Sequence, residues 1–172
     1  MIAMTLAVFM TASLGLTACN QATPTTPPSE STALSTSDAT SALTNAIHGI
    51  DAAIYGYGII GAHLAGSEQK KANRAIATLN RQRLTFMLAV GKQIDAPAVA
   101  YQLPFPVTDS ATAKKLAALL EAKLIPLFNT AVSATTGPVN IAAQLAAAKA
   151  TARAAMWAGA STTPATKVSA TN

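Results

Sequence analysis

The amino-acid sequence predicts an all-α fold, a four-helix bundle made of two antiparallel helical hairpins that a proline-rich crossover joins. Three observations lead to this prediction. Hydrophobic residues make up 51% of the chain although only 5% are aromatic, and alanine dominates; alanine favours helices because it loses no side-chain entropy on folding. Apolar residues recur at helical spacing in four segments. Prolines cluster between the second and third segments, where they prevent a continuous helix.

The composition also limits the possible partners. Charged residues make up 11% of the chain, against about 25% in a typical soluble domain. The net charge of +5 suits anionic lipid headgroups or envelope polymers. Lysine and arginine are scattered, without a platform of aromatic and basic residues, so we expect no nucleic-acid binding. The single cysteine cannot form an internal disulfide.

The N-terminal segment has the features of an export signal. Residues 1–18 carry no charged side chain, and as a helix they would span about 27 Å, slightly less than a hydrocarbon core. This length and the small residues at the end are typical of a signal peptide. The run Leu16-Thr17-Ala18-Cys19 resembles the bacterial lipobox, which implies cleavage before Cys19 and a lipid on its thiol. The alternative is a structural cysteine or a transmembrane anchor.

Two segments are expected to be disordered. Residues 19–37 are rich in threonine, serine and proline, with almost no large apolar side chain. They cannot bury enough surface to offset the entropy of ordering, so they predict a tether between the lipid and the folded domain. Residues 160–172 have a similar composition and predict a disordered tail. The bundle is predicted to span residues 38–159.

The first hairpin is predicted from two amphipathic segments. The first helix spans about residues 38–65 and the second about 67–92, with Asp38 and Ser67 as N-caps and Gly66 between them. Because the junction is short, the two helices should be antiparallel neighbours. The expected stripes are Leu43, Ile47, Ile50, Ile54, Gly58, Gly61 and Ala65 in the first helix, and Ala72, Ala75, Ile76, Leu79, Phe86, Met87, Val90 and Ile94 in the second.

The second hairpin follows the crossover, residues 95–107, whose apolar content predicts that it packs on the bundle. Thr108 or Asp109 is expected to cap the third helix, which ends near residue 134. Gly137-Pro138 predicts the start of the fourth helix, since proline is favoured at the first helical position. That helix should end near Trp157, and one of its faces contains Ile141, Leu145, Ala148, Ala152 and Met156.

The two hairpins share one register. The expected N-caps repeat after 70 residues (108 − 38 and 137 − 67), and so do Asp51 and Glu121, and Arg83 and Arg153. A duplicated helical hairpin is the usual plan of ferritin-like bundles. Antiparallel packing brings each acid level with an arginine, and an unpaired buried charge is costly. We therefore expect the ion pairs Asp51–Arg83 and Glu121–Arg153; the alternative is arginines that reach into solvent and a hydrated Asp51.

Three runs of residues resemble a known family. They are Ile54-Tyr55-Gly56-Tyr57-Gly58-Ile59-Ile60-Gly61-Ala62-His63, Tyr101-Gln102-Leu103-Pro104-Phe105-Pro106-Val107 and Leu120-Glu121-Ala122. Over about residues 40–158 the chain resembles an uncharacterised ferritin-like family of mostly actinobacterial proteins, many of them lipoproteins. The resemblance implies a ferritin-like four-helix bundle without an established function. Related sequences tend to have Glu-His where this chain has Ile50-Asp51, and His where it has Asn80, so potential metal ligands are missing.

The remaining motifs do not predict catalysis. A carboxylate-bridged di-metal site needs a Glu-x-x-His motif on each of two helices, but neither His48 nor His63 follows a glutamate by three residues. We therefore expect no metal and no cofactor. The run from Gly56 to Gly61 matches the dinucleotide-binding G-x-G-x-x-G, but it falls within a helix, which favours close helix packing instead. Tyr55 and Tyr57 are possible pocket-lining residues, although core packing with a hydrogen-bonded hydroxyl is the simpler interpretation.

These observations together predict a lipid-anchored module of the cell envelope, held on the outer face of the membrane through Cys19. Its role is expected to be non-catalytic binding of an envelope protein or a small apolar ligand. The main alternative is a metal-dependent (iron or manganese) oxidoreductase of ferritin-like type. A purely structural protein is the third possibility, and it predicts a filled core without a pocket near Tyr55.

Overall fold

The computed structural model describes residues 35–91 and 94–159, and most of them are helical. The helices are α1 (Thr36–Ala62), α2 (Gly66–Val90), α3 (Ser110–Ala134) and α4 (Gly137–Trp157). No β-strand is present within the described ranges, so the all-α prediction is confirmed for them. The expected signal peptide, Cys19, nearly all of the expected tether and the expected C-terminal tail lie outside the described residues.

The first two helices begin at other residues than the sequence predicts. Ser35, not Asp38, caps α1, because the Ser35 side chain accepts a hydrogen bond from the Asp38 backbone amide. The helix therefore includes two residues that the composition assigns to the tether. The residue before α2 is Ala65, which offers no side-chain cap, so the Ser67 prediction is wrong. Gly66 opens α2 with a φ of 58°, a left-handed conformation that glycine adopts without a Cβ clash.

The later helices begin close to the predicted positions. Asp109 caps α3, and its carboxylate accepts a hydrogen bond from the Thr112 backbone amide at 2.8 Å. Hydrogen bonds from Thr112, its backbone amide first, lower the pKa of Asp109 below its ordinary value. Thr136 is the N-cap residue of α4, so Gly137 already belongs to the helix and Pro138 stands in its first turn.

The four helices form a bundle in which α1 and α3 are central. The α1 helix packs against α2 and α3, and α3 packs against α1 and α4, whereas α2 and α4 touch only lightly. The connector between α2 and α3 lies on the bundle, as its apolar content predicts, with several side chains packed against the core: Ile94, Leu103, Phe105 and Val107. The largest fully buried side chains include Tyr57, Phe86, Phe128, Ile47, Ile50 and Ile60.

Two predicted faces are partly or wholly wrong. In α1 the buried face continues through Tyr57 and Ile60, while Gly58 is exposed. The predicted stripe takes two successive steps of four residues from Ile50 to Gly58, and with 3.6 residues per turn such steps rotate away from the buried face. In α4 the predicted face points outward, and Ile141 is 66% exposed. The bundle instead receives three small side chains and the indole at the helix end: Ala143, Ala146, Ala150 and Trp157.

The α3 helix, Ser110–Ala134, is long and apolar enough to cross a membrane by length and composition alone. In the fold it is a core helix, because it packs against α1 on one side and α4 on another. It carries a glutamate, Glu121, with 0% exposure at its middle. A buried carboxylate in such an apolar helix requires a partner, and its surroundings define the first of two polar centres.

Candidate functional site

Two acid–arginine pairs lie inside the bundle. Arg83 Nε donates to Asp51 Oδ1 at 2.5 Å, and Arg153 Nε donates to Glu121 Oε1 at 2.6 Å. In each pair the arginine follows the acid by 32 residues. The structure therefore brings together the same partners that the repeated register predicts. The two pairs differ in every other contact.

Glu121 belongs to a fully satisfied network, which we name the closed centre (Tyr57, Glu121, Arg153 and Trp157). Arg153 binds the carboxylate with two donors, Nε to Oε1 and Nη2 to Oε2, the second at 2.9 Å. The Tyr57 hydroxyl donates to Oε1 at 2.8 Å. The Trp157 indole in turn donates to the Tyr57 oxygen, also at 2.8 Å. Bidentate, charge-assisted contacts of this kind are among the stronger hydrogen bonds in proteins.

The carboxylate of the closed centre is sealed from solvent, although Arg153 also lines a separate cavity of about 210 Å³ between α2 and α4. The Glu121 side chain is 0% exposed and that of Arg153 is 14% exposed. Burial first, and then the charge of Glu121, raise the pKa of Tyr57 far above its ordinary value. The phenol therefore remains a protonated donor. Tyr57 is a core residue, and its predicted role in lining a pocket is not what the structure shows.

Asp51 lies in a different environment, which we name the open centre (Asp51, Tyr55, Asn80, Arg83 and Tyr101). Arg83 reaches Asp51 through Nε, while its Nη1 points to Met87 Sδ at 3.1 Å. The second carboxylate oxygen, Asp51 Oδ2, is buried without a hydrogen-bond partner among the described residues. The Asp51 side chain is 4% exposed and that of Arg83 is 24% exposed. A buried orphan oxygen costs free energy unless something donates to it.

A solvent-open cavity of about 500 Å³ adjoins this pair. The rings of Tyr55 and Tyr101 stand at its side, with centroids 5.5 Å apart and planes tilted by 53°. Tyr55 therefore lines a cavity, which is one of the two roles that the sequence suggests for it. The wall combines residues of α1, α2 and the connector: Asp51, Ile54, Tyr55, Asn80, Arg83, Pro97, Ala98 and Tyr101.

The 70-residue repeat relates the two centres position by position. The sequence analysis did not link Trp157, Tyr57 or Tyr101 to the buried acids. For Trp157 and Tyr57 the 70-residue repeat could have done so. The residue 70 positions away from each member of the closed centre is shorter or less polar, except for the arginine. The correspondences are Glu121 with Asp51, Arg153 with Arg83, Tyr57 with Leu127 and Trp157 with Met87.

The histidines and the motif glycines belong to neither centre. Within residues 35–91 and 94–159, no three histidine, cysteine, aspartate or glutamate side chains gather in a way that could hold a metal ion. His48 is exposed, and His63 ends α1 as its C-cap residue. In the glycine motif only Gly56 packs closely, against the side chain of Leu120, whereas an added Cβ at Gly58 or Gly61 would meet nothing within 4 Å. The packing explanation therefore holds for Gly56 alone.

Comparison with known proteins places the chain in a family. No curated protein matches it. A solved structure described as a conserved hypothetical protein, rv2844, from Mycobacterium tuberculosis is similar, with 27% sequence identity and a TM-score of 0.68 over 72% of this chain and 96% of that one. The family model described as a domain of unknown function, DUF4439, matches residues 42–167. Because that match covers most of the sequence, the chain belongs to the DUF4439 family.

Proposed function

We propose that this protein is a lipid-anchored module of the cell envelope whose ferritin-like bundle binds a ligand or partner without catalysing a reaction. The lipid on Cys19 would hold the bundle on the outer face of the membrane, and the segment after Cys19 would act as its tether. The binding role is assigned to the bundle, and the anchor only determines where it acts.

One observation carries the non-catalytic part of the proposal. Both buried carboxylates, Asp51 and Glu121, accept hydrogen bonds from an arginine at 2.5 Å and 2.6 Å. In a di-iron bundle such inward carboxylates hold the metal. A guanidinium at this distance occupies that space, and its positive charge opposes a second cation nearby. The arrangement therefore supports charge pairing in place of metal binding.

The ferritin-like arrangement of two antiparallel hairpins is part of the same proposal. It is supported by the repeat of acid and arginine at 70 residues and by the equal spacing of 32 residues within each pair. The short links between α1 and α2 and between α3 and α4 also favour it, since such links join antiparallel neighbours. The packing of α1 on α2 and of α3 on α4 is what two hairpins require.

Metal analysis of the purified full-length protein tests the proposal against the oxidoreductase alternative. Cells are grown with added iron and manganese, and the metal content per chain is measured by inductively coupled plasma mass spectrometry. We expect far less than one metal ion per chain, for the wild type and for Arg74→Ala, a control at an exposed arginine. Stoichiometric iron or manganese would overturn the non-catalytic proposal.

The anchor is tested separately by the Cys19→Ser variant. In cells labelled with a fatty acid, the wild-type protein should carry the label and sediment with membranes. The variant should carry none, because its side chain offers no thiol to acylate. Label on Cys19→Ser, or an unlabelled wild-type protein, would contradict the lipid anchor without affecting the binding role of the bundle.

A further inference from the structure

We propose that the cavity of the open centre is a binding site for a neutral polyhydroxylated ligand, such as one sugar unit of a carbohydrate. This inference rests on the proposed binding function and names its ligand class. Three observations support it: an orphan carboxylate oxygen, an arginine with donor capacity left over, and a pair of aromatic rings in the same wall.

The orphan oxygen lacks a donor among the described residues. Asp51 is part of the cavity wall, and its side chain is only 4% exposed. Its Oδ2 has no hydrogen-bond partner among the described residues. Glu121 shows what a satisfied carboxylate looks like in this fold, with three donors on its two oxygens. Oδ2 is closed to solvent, so a ligand hydroxyl in the cavity supplies the missing donor only if the partly exposed Arg83 side chain shifts on binding, as side chains of binding sites commonly do.

Arg83 offers the complementary half of the contact. Its Nε is used by Asp51 and its Nη1 by Met87, while Nη2 donates to no described residue. A guanidinium carries five N–H donors in one plane. A ligand with a hydrogen-bond acceptor beside the hydroxyl that donates to Asp51 could therefore bind Arg83 at the same time. Each hydroxyl of a sugar both donates and accepts, and neighbouring hydroxyls present this combination on one edge.

The charge of the wall favours a neutral ligand. Asp51 and Arg83 already neutralise each other at 2.5 Å. An added cation would meet the guanidinium, and an added anion would leave Oδ2 without a donor, so either would add an uncompensated charge to a partly buried site. Asn80 also lines the cavity, and an amide contributes hydrogen bonds without net charge.

The aromatic rings and the cavity size fit the same class. Tyr55 and Tyr101 both line the cavity, and aromatic faces pack against the apolar C–H face of a sugar ring while hydroxyls bind at the edge. The Tyr101 hydroxyl accepts a hydrogen bond from the Ala98 amide at 3.3 Å, which leaves its own hydrogen for a ligand. The volume of about 500 Å³ lies within the roughly 300–1,000 Å³ of small-molecule sites.

The test follows the Nε–H signal of Arg83 in the ¹⁵N-labelled full-length protein by nuclear magnetic resonance. The signal is assigned by its loss in Arg83→Lys. The probes are the methyl glycosides of glucose, mannose and galactose, with glycine as a zwitterion, sodium phosphate as an anion and p-cresol as an apolar ring. We expect at least one glycoside to shift the Arg83 signal in a saturable way, while the Nε–H signal of Arg153 remains in place.

Matched variants decide whether the shift comes from this cavity. Tyr101→Ala should raise the dissociation constant about two- to tenfold, as expected for the loss of one aromatic contact. Val99→Ala is its control, because Val99 lies on the same connector, is fully exposed and does not line the cavity. Asp51→Asn should weaken binding similarly, and Glu121→Gln serves as its control. If either buried-acid variant fails to fold, the Tyr101 and Val99 comparison still decides the question.

The outcomes separate this inference from the proposed function. A shift with glycine, phosphate or p-cresol but with none of the glycosides overturns the polyol assignment and leaves a binding protein of another specificity. No shift with any probe overturns the inference, because no sugar unit then binds next to Arg83. Stoichiometric metal in the purified protein overturns the proposed function itself, whichever probe binds. Equal weakening by Tyr101→Ala and Val99→Ala also overturns the site.

Discussion

The closed and open centres each contain a buried acid paired with an arginine, but they differ in whether the hydrogen bonds of the acid are satisfied. Around Glu121 both carboxylate oxygens accept hydrogen bonds, from two donors of Arg153 and from the Tyr57 hydroxyl that Trp157 holds in place. Around Asp51 the arginine makes one hydrogen bond to the carboxylate, the second carboxylate oxygen has no partner among the described residues, and a cavity adjoins the pair. An aspartate side chain is one methylene shorter than a glutamate, and aliphatic or thioether groups replace the hydroxyl and the indole at the repeat-related positions. Small changes within one register thus separate a structural pair from a candidate site.

The largest expected effect comes from removing the arginine of each centre. Arg153→Ala should lower the free energy of unfolding by about 3–5 kcal/mol, because it leaves the fully buried Glu121 without its counter-charge. Arg83→Ala should cost less, about 1–2 kcal/mol, since removal of the Arg83 side chain would extend the adjoining cavity to Asp51, where water could hydrate the carboxylate. Urea denaturation of the full-length protein measures both, with Arg74→Ala as a surface control. Equal costs at the two centres would contradict their distinction.

A double-mutant cycle sharpens the comparison. The coupling energy between Glu121 and Arg153 should exceed that between Asp51 and Arg83 by about 1 kcal/mol or more, because the first pair has two charge-assisted contacts and the second has one. Each cycle uses the two single alanine variants and the double variant, followed by urea denaturation. Additive effects of Asp51→Ala and Arg83→Ala would show that the second pair does not interact at all.

The hydroxyl of Tyr57 should have a smaller effect on stability than the Arg153 side chain. Tyr57→Phe removes the donor to Glu121 and the acceptor for Trp157, so we expect a loss of about 1–3 kcal/mol in unfolding free energy. Tyr55→Phe is the matched control in the same helix, and its hydroxyl has no hydrogen-bond partner among the described residues. Thermal and urea denaturation give the two values. A loss at Tyr55 as large as at Tyr57 would contradict the network.

The smallest effect is spectroscopic and appears at high pH. The pKa of Tyr57 in the folded protein is raised above the value of about 10 that a tyrosine has in an unfolded chain. The stability that this buried phenol contributes is therefore complete below about pH 10 and decreases as the pH rises above it. While the protein stays folded, wild type and Tyr57→Phe should develop the same tyrosinate absorbance up to about pH 11. An additional tyrosinate should appear in the wild type only on unfolding. A larger absorbance in folded wild type would contradict the buried phenol.

The sequence was sufficient to predict the helices and both charge pairs, for a simple physical reason. Acids are so scarce that Asp51 and Glu121 stand out on the apolar helices α1 and α3. A buried charge requires a partner, and the antiparallel register brings Arg83 and Arg153 level with these two acids. The helix limits also follow closely from turn residues, apart from caps such as Ser35. Even so, the predicted ion pairs alone did not indicate which of the two acids has a cavity beside it.

Other features depend on packing that single-sequence patterns do not carry. In α4 alanine occurs on several faces, so helical spacing did not show whether Ile141 or Ala143 faces the bundle. The position of Tyr101 beside Tyr55 depends on the path of a proline-rich connector without periodicity. Trp157 stands at a helix end, where the stripe no longer constrains its direction. Only the repeat, applied to uncharged residues, could have related it to Met87.

Trp157 is the single tryptophan of the chain, and it is buried against Tyr57 with ring centroids 6.4 Å apart. Intrinsic fluorescence excited at the indole therefore reports on the closed centre alone. A compound that occupies the other cavity would leave this emission nearly unchanged, so a screen based on tryptophan quenching would miss it. A second tryptophan on the connector, as in Val99→Trp, would allow binding in that cavity to be followed by fluorescence.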